Sequence, residues 1–287
     1  MILGYSIFEI LCLLLVYACM GWCLEVAYAA LETGKFVNRG FLNGPVCPIY
    51  GVGAVIVILC LTPLSENVFL LFAGAAIVTS VLELVTGFAL DKLFKTRWWD
   101  YSEVPFNIGG YICLKFSILW GLVCIALMRG IHPVIYGIVH NIFKNNNLIA
   151  ILILVFLLAV FATDIIITFI TVNNLSKRVR LMDDIAKKIH RISDEIGGHI
   201  YDGTIAAVKK GEEIKESDKI KEITEEAKER REKREKEIAE LKEKYEKMAE
   251  ERHITHKRIL KAFPKLKSRN HAEHIEKLRS KLTKRKK

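Results

Sequence analysis

The sequence predicts an all-α, polytopic membrane protein. It has about five transmembrane helices, N-terminus outside and C-terminus inside, and a long charged cytoplasmic helical tail. Three observations predict this. Hydrophobic residues make up 52% of the 287-residue chain and charged residues 26%, figures compatible only if the chain is not uniform. Of 42 Lys and Arg, eight precede position 176, and of 32 Asp and Glu, nine do, so the first part carries −1 and the rest +11. Five apolar segments, 5–31, 46–65, 67–90, 112–129 and 148–172, approach the length of about 20 residues that a bilayer crossing needs. The third observation is the bias of Lys and Arg between alternate loops. Loops 32–45 (Lys35, Arg39) and 91–111 (Lys92, Lys95, Arg97), with the start of the tail (Lys177, Arg178, Arg180), each hold two or three basic residues. Residues 1–4 and 62–66 hold none and 130–147 only Lys144, which sets the orientation by the positive-inside rule. The boundaries that follow are a five-helix transmembrane domain (1–175), a juxtamembrane amphipathic helix (176–196), a Gly-containing linker (197–216) and a charged, partly helical basic tail (217–287).

No basic residue precedes the first apolar run, so no cleavable signal peptide is expected. The stretch that follows it, FVNRGFLNGPVCPIYGVG (36–53), is not an ordinary loop. Gly40, Gly44, Gly51 and Gly53 admit backbone angles and close approaches that a Cβ forbids. Pro45 and Pro48 fix φ and withhold two donors, so no regular helix runs through 44–48. Arg39 is its strong charge and Tyr50 its polar-tipped ring. We read this as a rigid elbow at the cytoplasmic membrane edge, suited to a site or a gate; a tight turn between two helices is the plainer alternative.

The second inner loop, within 91–121, places Trp98, Trp99 and Tyr101 where a membrane-interface belt is expected. Pro105, Gly109 and Gly110 interrupt helix before the next apolar run, and Asp100 and Asn107 are short polar groups suited to capping or bridging backbone. The fourth segment is the shortest, thirteen residues between Lys115 and Arg129, whose long stems suit snorkelling to the interfaces. The run IHPVIYGIVHNIF (131–143) reads as an interfacial or re-entrant piece.

Glu25, Glu83 and Asp164 fall about six, seven and eight residues from the inner ends of segments one, three and five. At about 1.5 Å per residue that places all three some 10 Å inside the cytoplasmic face. Ionisable groups in hydrocarbon are costly and face a partner or a cavity. Three at one depth suggest a shared polar site with Arg39 or Arg97 as counter-charge; separate satisfaction by interfacial Lys, Arg or Trp is the alternative.

Beyond Asn173, Val179, Met182, Ile185, Ile189, Ile192 and Ile196 recur at helical spacing below a basic start, which suits a membrane surface. Gly197, Gly198 and Gly203 are expected to break this helix. From 217 to about 252, apolar pairs such as Ile238 and Leu241 are sparse, while acid-first i,i+4 pairs such as Glu240–Lys244 and Glu243–Lys247 support a solvated single helix or a weak coiled coil. Residues 252–287 carry fourteen Lys and Arg against Glu273 and Glu276. Anionic lipid is their expected partner, nucleic acid the weaker one. All seven Cys lie in or beside apolar segments, unlike a secreted disulfide framework, and the histidine pairs lack acidic or Cys neighbours, so no metal or cofactor is expected.

Three ordered motifs, GWCLE (21–25), RGFLNGPVCPIYGVG (39–53) and WWDYSEVPFNIGGYICLKFSILWG (98–121), resemble the CmpB-type, or type IV, family of bacterial ABC-transporter permeases. The resemblance covers roughly 5–175 and leaves the tail beyond 200 outside. Its motif positions are Gly21, Trp22, Glu25, Arg39, Gly40, Phe41, Gly44, Pro45, Pro48, Tyr50, Gly51, Trp99, Asp100, Tyr101, Pro105, Asn107, Gly110, Cys113 and Gly121. It implies a permease subunit in the bacterial cytoplasmic membrane. No GxxxxGK[ST] loop occurs in the sequence, so a separate ATPase subunit is implied, and a five-helix chain is expected to work as a homo-oligomer. A membrane scaffold or regulator acting through its coiled-coil-like tail is the alternative. Intramembrane catalysis is disfavoured, because the membrane segments hold no Ser/His pair, GxSxG or His–Glu metal motif. The chain is therefore read as not an enzyme, with no catalytic residues.

Overall fold

The computed structural model describes residues 4–145, 147–209, 218–251, 254–263, 266–268 and 272–283. It is 81% helical, which makes the class all-α. Among the described residues, nine α-helices follow one another: α1 Ile7–Thr33, α2 Pro48–Leu61, α3 Val68–Phe94, α4 Leu114–Ala126, α5 His132–Phe143, α6 Leu148–Lys209, α7 Asp218–Glu250, α8 Ile254–Ala262 and α9 Ala272–Thr283. Four two-residue strands accompany them, β1 Thr96–Arg97, β2 Asn107–Ile108, β3 Ile112–Cys113 and β4 Lys267–Ser268. The chain divides into two compact units, one of residues 1–176 with 253–269, the other of 177–252 with 270–287.

Helices Ile7–Thr33, Val68–Phe94 and Leu114–Phe143 of the first unit, and Leu148–Ile196, which begins in it, are long and apolar enough to cross a membrane; Pro48–Leu64 is apolar but shorter. Local chemistry sets their ends. Ser6 opens α1 with a capping box, its hydroxyl accepting from Glu9 N–H while the Glu9 carboxylate accepts from Ser6 N–H. Gly34, at φ 65°, closes that helix in the left-handed conformation. Asn67 caps α3 by accepting from Phe69 and Leu70 N–H. Residues 131–143 are not a separate interfacial piece: a π-helical turn at Leu127–Ile131 joins α4 to α5 in one 30-residue helix. Arg129 donates to the Ser65 and Glu66 carbonyls, in the turn between α2 and α3.

The core of this unit joins Tyr5, Leu13 and Tyr17 of the N-terminal region to Val57, Ile58 and Leu61 of α2 and Leu71 and Ala75 of α3, with α4, α5 and Leu154 closing it. Among lipid tails, apolar contact supplies little net driving force, so close packing and hydrogen bonds carry the association. His132 illustrates this, bonded on one ring nitrogen by Tyr5 Oη at 3.0 Å and on the other by Tyr17 Oη at 2.8 Å. Beside it, His140 Nδ1 lies 2.7 Å from Glu9.

The second unit corrects the reading of the tail. Gly197, Gly198 and Gly203 do not break the helix, which runs unbroken from Leu148 to Lys209. A glycine costs about 1 kcal/mol in a helix interior, too little to stop a helix whose ladder is already propagating on both sides. Of the expected linker, 210–216 lie outside the described residues, as do 252–253, 264–265, 269–271 and 284–287 of the basic stretch. The stripe of Val179, Met182, Ile185 and Ile192 is buried in protein, so it does not face a membrane surface. Nor is α7 a lone solvated helix. Arg178 donates to the Met248 and Glu251 carbonyls, Lys188 pairs with Glu237 at 2.7 Å and Arg234 with Glu195 at 3.4 Å. Rising numbers on one helix match falling numbers on the other, so α6 and α7 are antiparallel. Helix α9 runs parallel to α7 through Tyr245–His274, Lys277–Glu246 and Lys281–Glu250.

Candidate functional site

The elbow does not sit at the edge of the bundle. After Gly34 the chain turns back along α1, and Cys47 N–H donates to the Ala18 carbonyl at 2.9 Å. Ala18 lies fifteen residues from the end of α1 at Thr33, about 22 Å at 1.5 Å per residue. Residues 34–47 are therefore a non-helical segment that runs beside α1 to its middle, and α2 begins there. Val46 N–H closes a three-residue turn onto Gly44 O about Pro45. Pro48 takes the first helical position, where its missing N–H costs nothing. The segment expected to cross as 46–65 thus starts deep.

Non-helical backbone at this depth needs partners, and the structure supplies them. Asn38 accepts from Trp22 Nε1 at 2.8 Å and Gly40 N–H at 3.2 Å, and donates to Asn43 O. Asp164 of α6 accepts from Asn43 N–H at 3.1 Å, Asn43 Nδ2 at 2.8 Å and Gly44 N–H at 2.7 Å. Thr168 Oγ1 completes that knot. The glycines serve space rather than dihedral freedom, since none of Gly40, Gly44, Gly51 and Gly53 has positive φ. A Cβ on Gly51 would stand 2.4 Å from the Leu14 carbonyl, and one on Gly21 would stand 2.2 Å from the Tyr50 ring. These two positions let α1 and α2 touch backbone to backbone, and they aim Tyr50 along α1.

That placement assembles the first polar cluster. Tyr50 Oη donates to Glu25 Oε1 at 2.6 Å, and Arg39 Nε meets Glu25 Oε2 at 3.1 Å. Arg39 also reaches Glu32 at 3.3 Å and stacks over the Tyr28 ring at 4.7 Å. Tyr50 packs edge-on against Trp120 of α4.

The aromatic loop forms the second cluster. Gly109 and Gly110, at φ 59° and 74°, turn a hairpin between β2 and β3, pairing Asn107 with Cys113 and Ile108 with Ile112. Asn107 holds the turn, donating to Val104 O at 2.8 Å and accepting from Gly110 N–H at 3.1 Å. Asp100 accepts from Ser102 N–H and pairs with Arg97. Trp99 Nε1 donates to Tyr111 O, and Trp98 is buried among Phe41, Phe94 and Phe263. Tyr101 Oη donates to Glu83 Oε1 at 3.0 Å, while Glu83 Oε2 is buried with no hydrogen-bond partner among the described residues. Burial pushes the Tyr101 phenol well up, and the Glu83 carboxylate and, more weakly, Glu25 push the same way.

The three acids therefore have three separate sets of donors: Tyr50 and Arg39 for Glu25, Tyr101 for Glu83, the elbow amides for Asp164. They stand 18, 15 and 16 residues after the first residues of their helices. Arg39 is a counter-charge, to Glu25; Arg97 instead pairs with Asp91 and Asp100. Sequence reasoning missed Asp91, which also accepts from Tyr111 Oη at 2.6 Å, and the polar staples Asn38 and Asn43. The two asparagines were visible as short amides inside a glycine-rich run; the helix-terminal Asp91 carried no such signal.

Together these features define a class, a multi-pass helical membrane protein whose polar residues gather around a non-helical segment folded into the helix bundle. The model of the family described as "Putative ABC-transporter type IV" matches residues 12–169, more than half of the chain, and the chain belongs to that family. The match holds the elbow, the aromatic loop and all three acids. No curated protein matches the chain, and no solved structure does.

Proposed function

We propose that the chain is the membrane-spanning subunit of a bacterial transporter, lodged in the cytoplasmic membrane and driven by a separate ATPase. The observation that carries this reading is the elbow. Transport sites are commonly built where a helix is discontinuous near mid-membrane, because unwound backbone and side chains there replace the solvation that a polar solute loses. Here residues 34–47 run to the level of Ala18, with Glu25, Arg39 and Tyr50 gathered on their path. In this reading Pro48–Leu64 with the elbow makes the fifth crossing, the basic loops face the cytoplasm, and the chain is not itself an enzyme. The solute is polar, met by Glu25 and by the uncommitted oxygen of Glu83.

Purification from native membranes in mild detergent, with mass spectrometry of what co-elutes, tests the pairing. A stoichiometric P-loop ATPase is the expected result; recovery without one removes the transporter reading. A second reading has its own observation. Residues 177–252 with 270–287 make a compact three-helix unit, more than a permease needs, and suit a scaffold that recruits a soluble partner. Deletion of 200–287 with no change in cellular phenotype would dismiss it.

A further inference from the structure

The basic stretch near the C-terminus does something that its composition does not announce. Helix α8, Phe263 and β4 belong to the first unit. Arg258 donates to the Gly40 carbonyl at 3.0 Å and the Phe41 carbonyl at 2.8 Å, 218 and 217 residues away in sequence. Phe263 stands edge-on to Trp98 at 4.7 Å and 90°, on the cluster that Phe41 and Phe94 also build. Strand β4 pairs antiparallel with β1, Ser268 opposite Thr96 and Lys267 opposite Arg97. Ile259, Leu260, Ala262 and Leu266 are buried.

A guanidinium fork on two backbone carbonyls, an aromatic ring in an aromatic cluster and strand addition to a free edge are the means by which surfaces receive peptides. We propose that the elbow and the aromatic loop form a peptide-receiving surface. Its ligand is the chain's own 254–268 segment. The segment is a strap rather than part of the helix bundle: beside its buried apolar residues, what ties it to the elbow and the aromatic loop among the described residues is one arginine, one ring and a two-residue strand pair, a pair too short to hold by itself.

The strap also bears on the polar cluster. The 40–44 run is gripped at opposite poles: Arg258 takes the carbonyls of Gly40 and Phe41, and Asp164 takes the N–H groups of Asn43 and Gly44. Burial lowers the Arg258 pKa, and the Asp164 charge counters that by favouring the guanidinium. A peptide run held between a cation on its oxygens and an anion on its amides is stiffened along its own dipoles. Arg39, which pairs with Glu25, directly precedes that run. Seating the strap therefore holds the elbow in its folded-in position, and releasing it frees two carbonyls and one face of Trp98.

The test needs neither ATPase nor solute, so its failure and the failure of the transport reading are separable. Full-length protein in lipid nanodiscs is compared by hydrogen exchange with the Arg258→Ala/Phe263→Ala double variant and with Arg258→Lys, which keeps the charge and guards against a folding defect. We expect exchange at 38–44 and 95–99 to rise at least tenfold in the double variant and by less in Arg258→Lys, with α1, α3 and α6 unchanged. A synthetic peptide of residues 254–268, added at 100 μM, is expected to reverse the rise, and the same peptide with Arg258→Ala is not. Unchanged exchange, a rise spread through the helices, or a rise that the peptide leaves untouched each overturns the proposal.

Discussion

Asp164→Asn tests how the elbow is held inside the bundle. In the native protein one carboxylate oxygen accepts from both Asn43 nitrogens and the other accepts from Gly44 N–H at 2.7 Å. Asparagine keeps the shape but only one acceptor oxygen, so its NH2 must face either the Asn43 donors or the Gly44 N–H. One backbone donor, the part-buried Gly44 N–H or the exposed Asn43 N–H, is left unpaired, at about 1–3 kcal/mol where lipid denies it water, and the remaining bonds lose their charge assistance, worth about 1 kcal/mol in all. The expected loss is about 2–4 kcal/mol, and more for Asp164→Ala, which vacates every bond. Unfolding in mixed detergent micelles, followed by tryptophan fluorescence, measures it; Trp22 lies on the same polar staple through Asn38. Hydrogen exchange at 43–44 should rise in step. A destabilisation below about 0.5 kcal/mol, with 43–44 protected as before, would refute the assignment of Asp164 as the elbow's anchor.

Gly21→Ala is expected to cost about 1–3 kcal/mol by overpacking, because the Tyr50 ring must swing away from its Glu25 bond. The double variant with Tyr50→Ala should recover much of that in the same unfolding assay. Tyr101→Phe leaves Glu83 without its recorded donor and should cost about 1–3 kcal/mol, read by thermal unfolding in detergent. A double-mutant cycle of Arg39→Ala with Glu25→Gln should give a coupling of about 1 kcal/mol or less, since both side chains keep a quarter or more of their exposure. In the second unit, Lys277 and Lys281 hold the Glu246 carboxyl below its ordinary 4.5. A depressed folded pKa contributes stability that is present above the unfolded value and lost as pH falls through the folded one. Exchange protection of α9 should therefore be flat from pH 8 to 5 and weaken below about 4.5, and Glu246→Gln should flatten that acid response.

The positions of α1 and α3 were legible because apolar runs of membrane length are a local signal; the Ser–Glu capping box, the asparagine before Val68 and the glycine after Thr33 that set their ends were read only in the structure. The elbow was legible as irregular, because prolines and glycines forbid helix whatever surrounds them. Its path was not, since Trp22, Ala18 and Asp164 receive it from two other helices. The polar contacts followed the same division. Glu25, Glu83 and Asp164 stood out because carboxylates are rare in apolar runs, yet apart from Thr168 beside Asp164 their donors come from residues 14 to 121 positions away. The glycines of 197–198 misled for the converse reason, since a local penalty of about 1 kcal/mol each is small against the cooperativity of a 62-residue helix.

By itself the sequence determined the all-α membrane class, the family, the break at 44–48 and the residues worth watching, because each rests on composition, short-range stereochemistry or ordered motifs. Only the tertiary structure decided that the elbow folds inward to the middle of α1, that each acid has its own donors, and that α6, α7 and α9 bury a stripe that looks suited to lipid. Only it placed Arg258, one of fourteen C-terminal cations, on the Gly40 and Phe41 carbonyls. A carbonyl looks the same in every sequence, and what it bonds to is settled when distant segments compete for it.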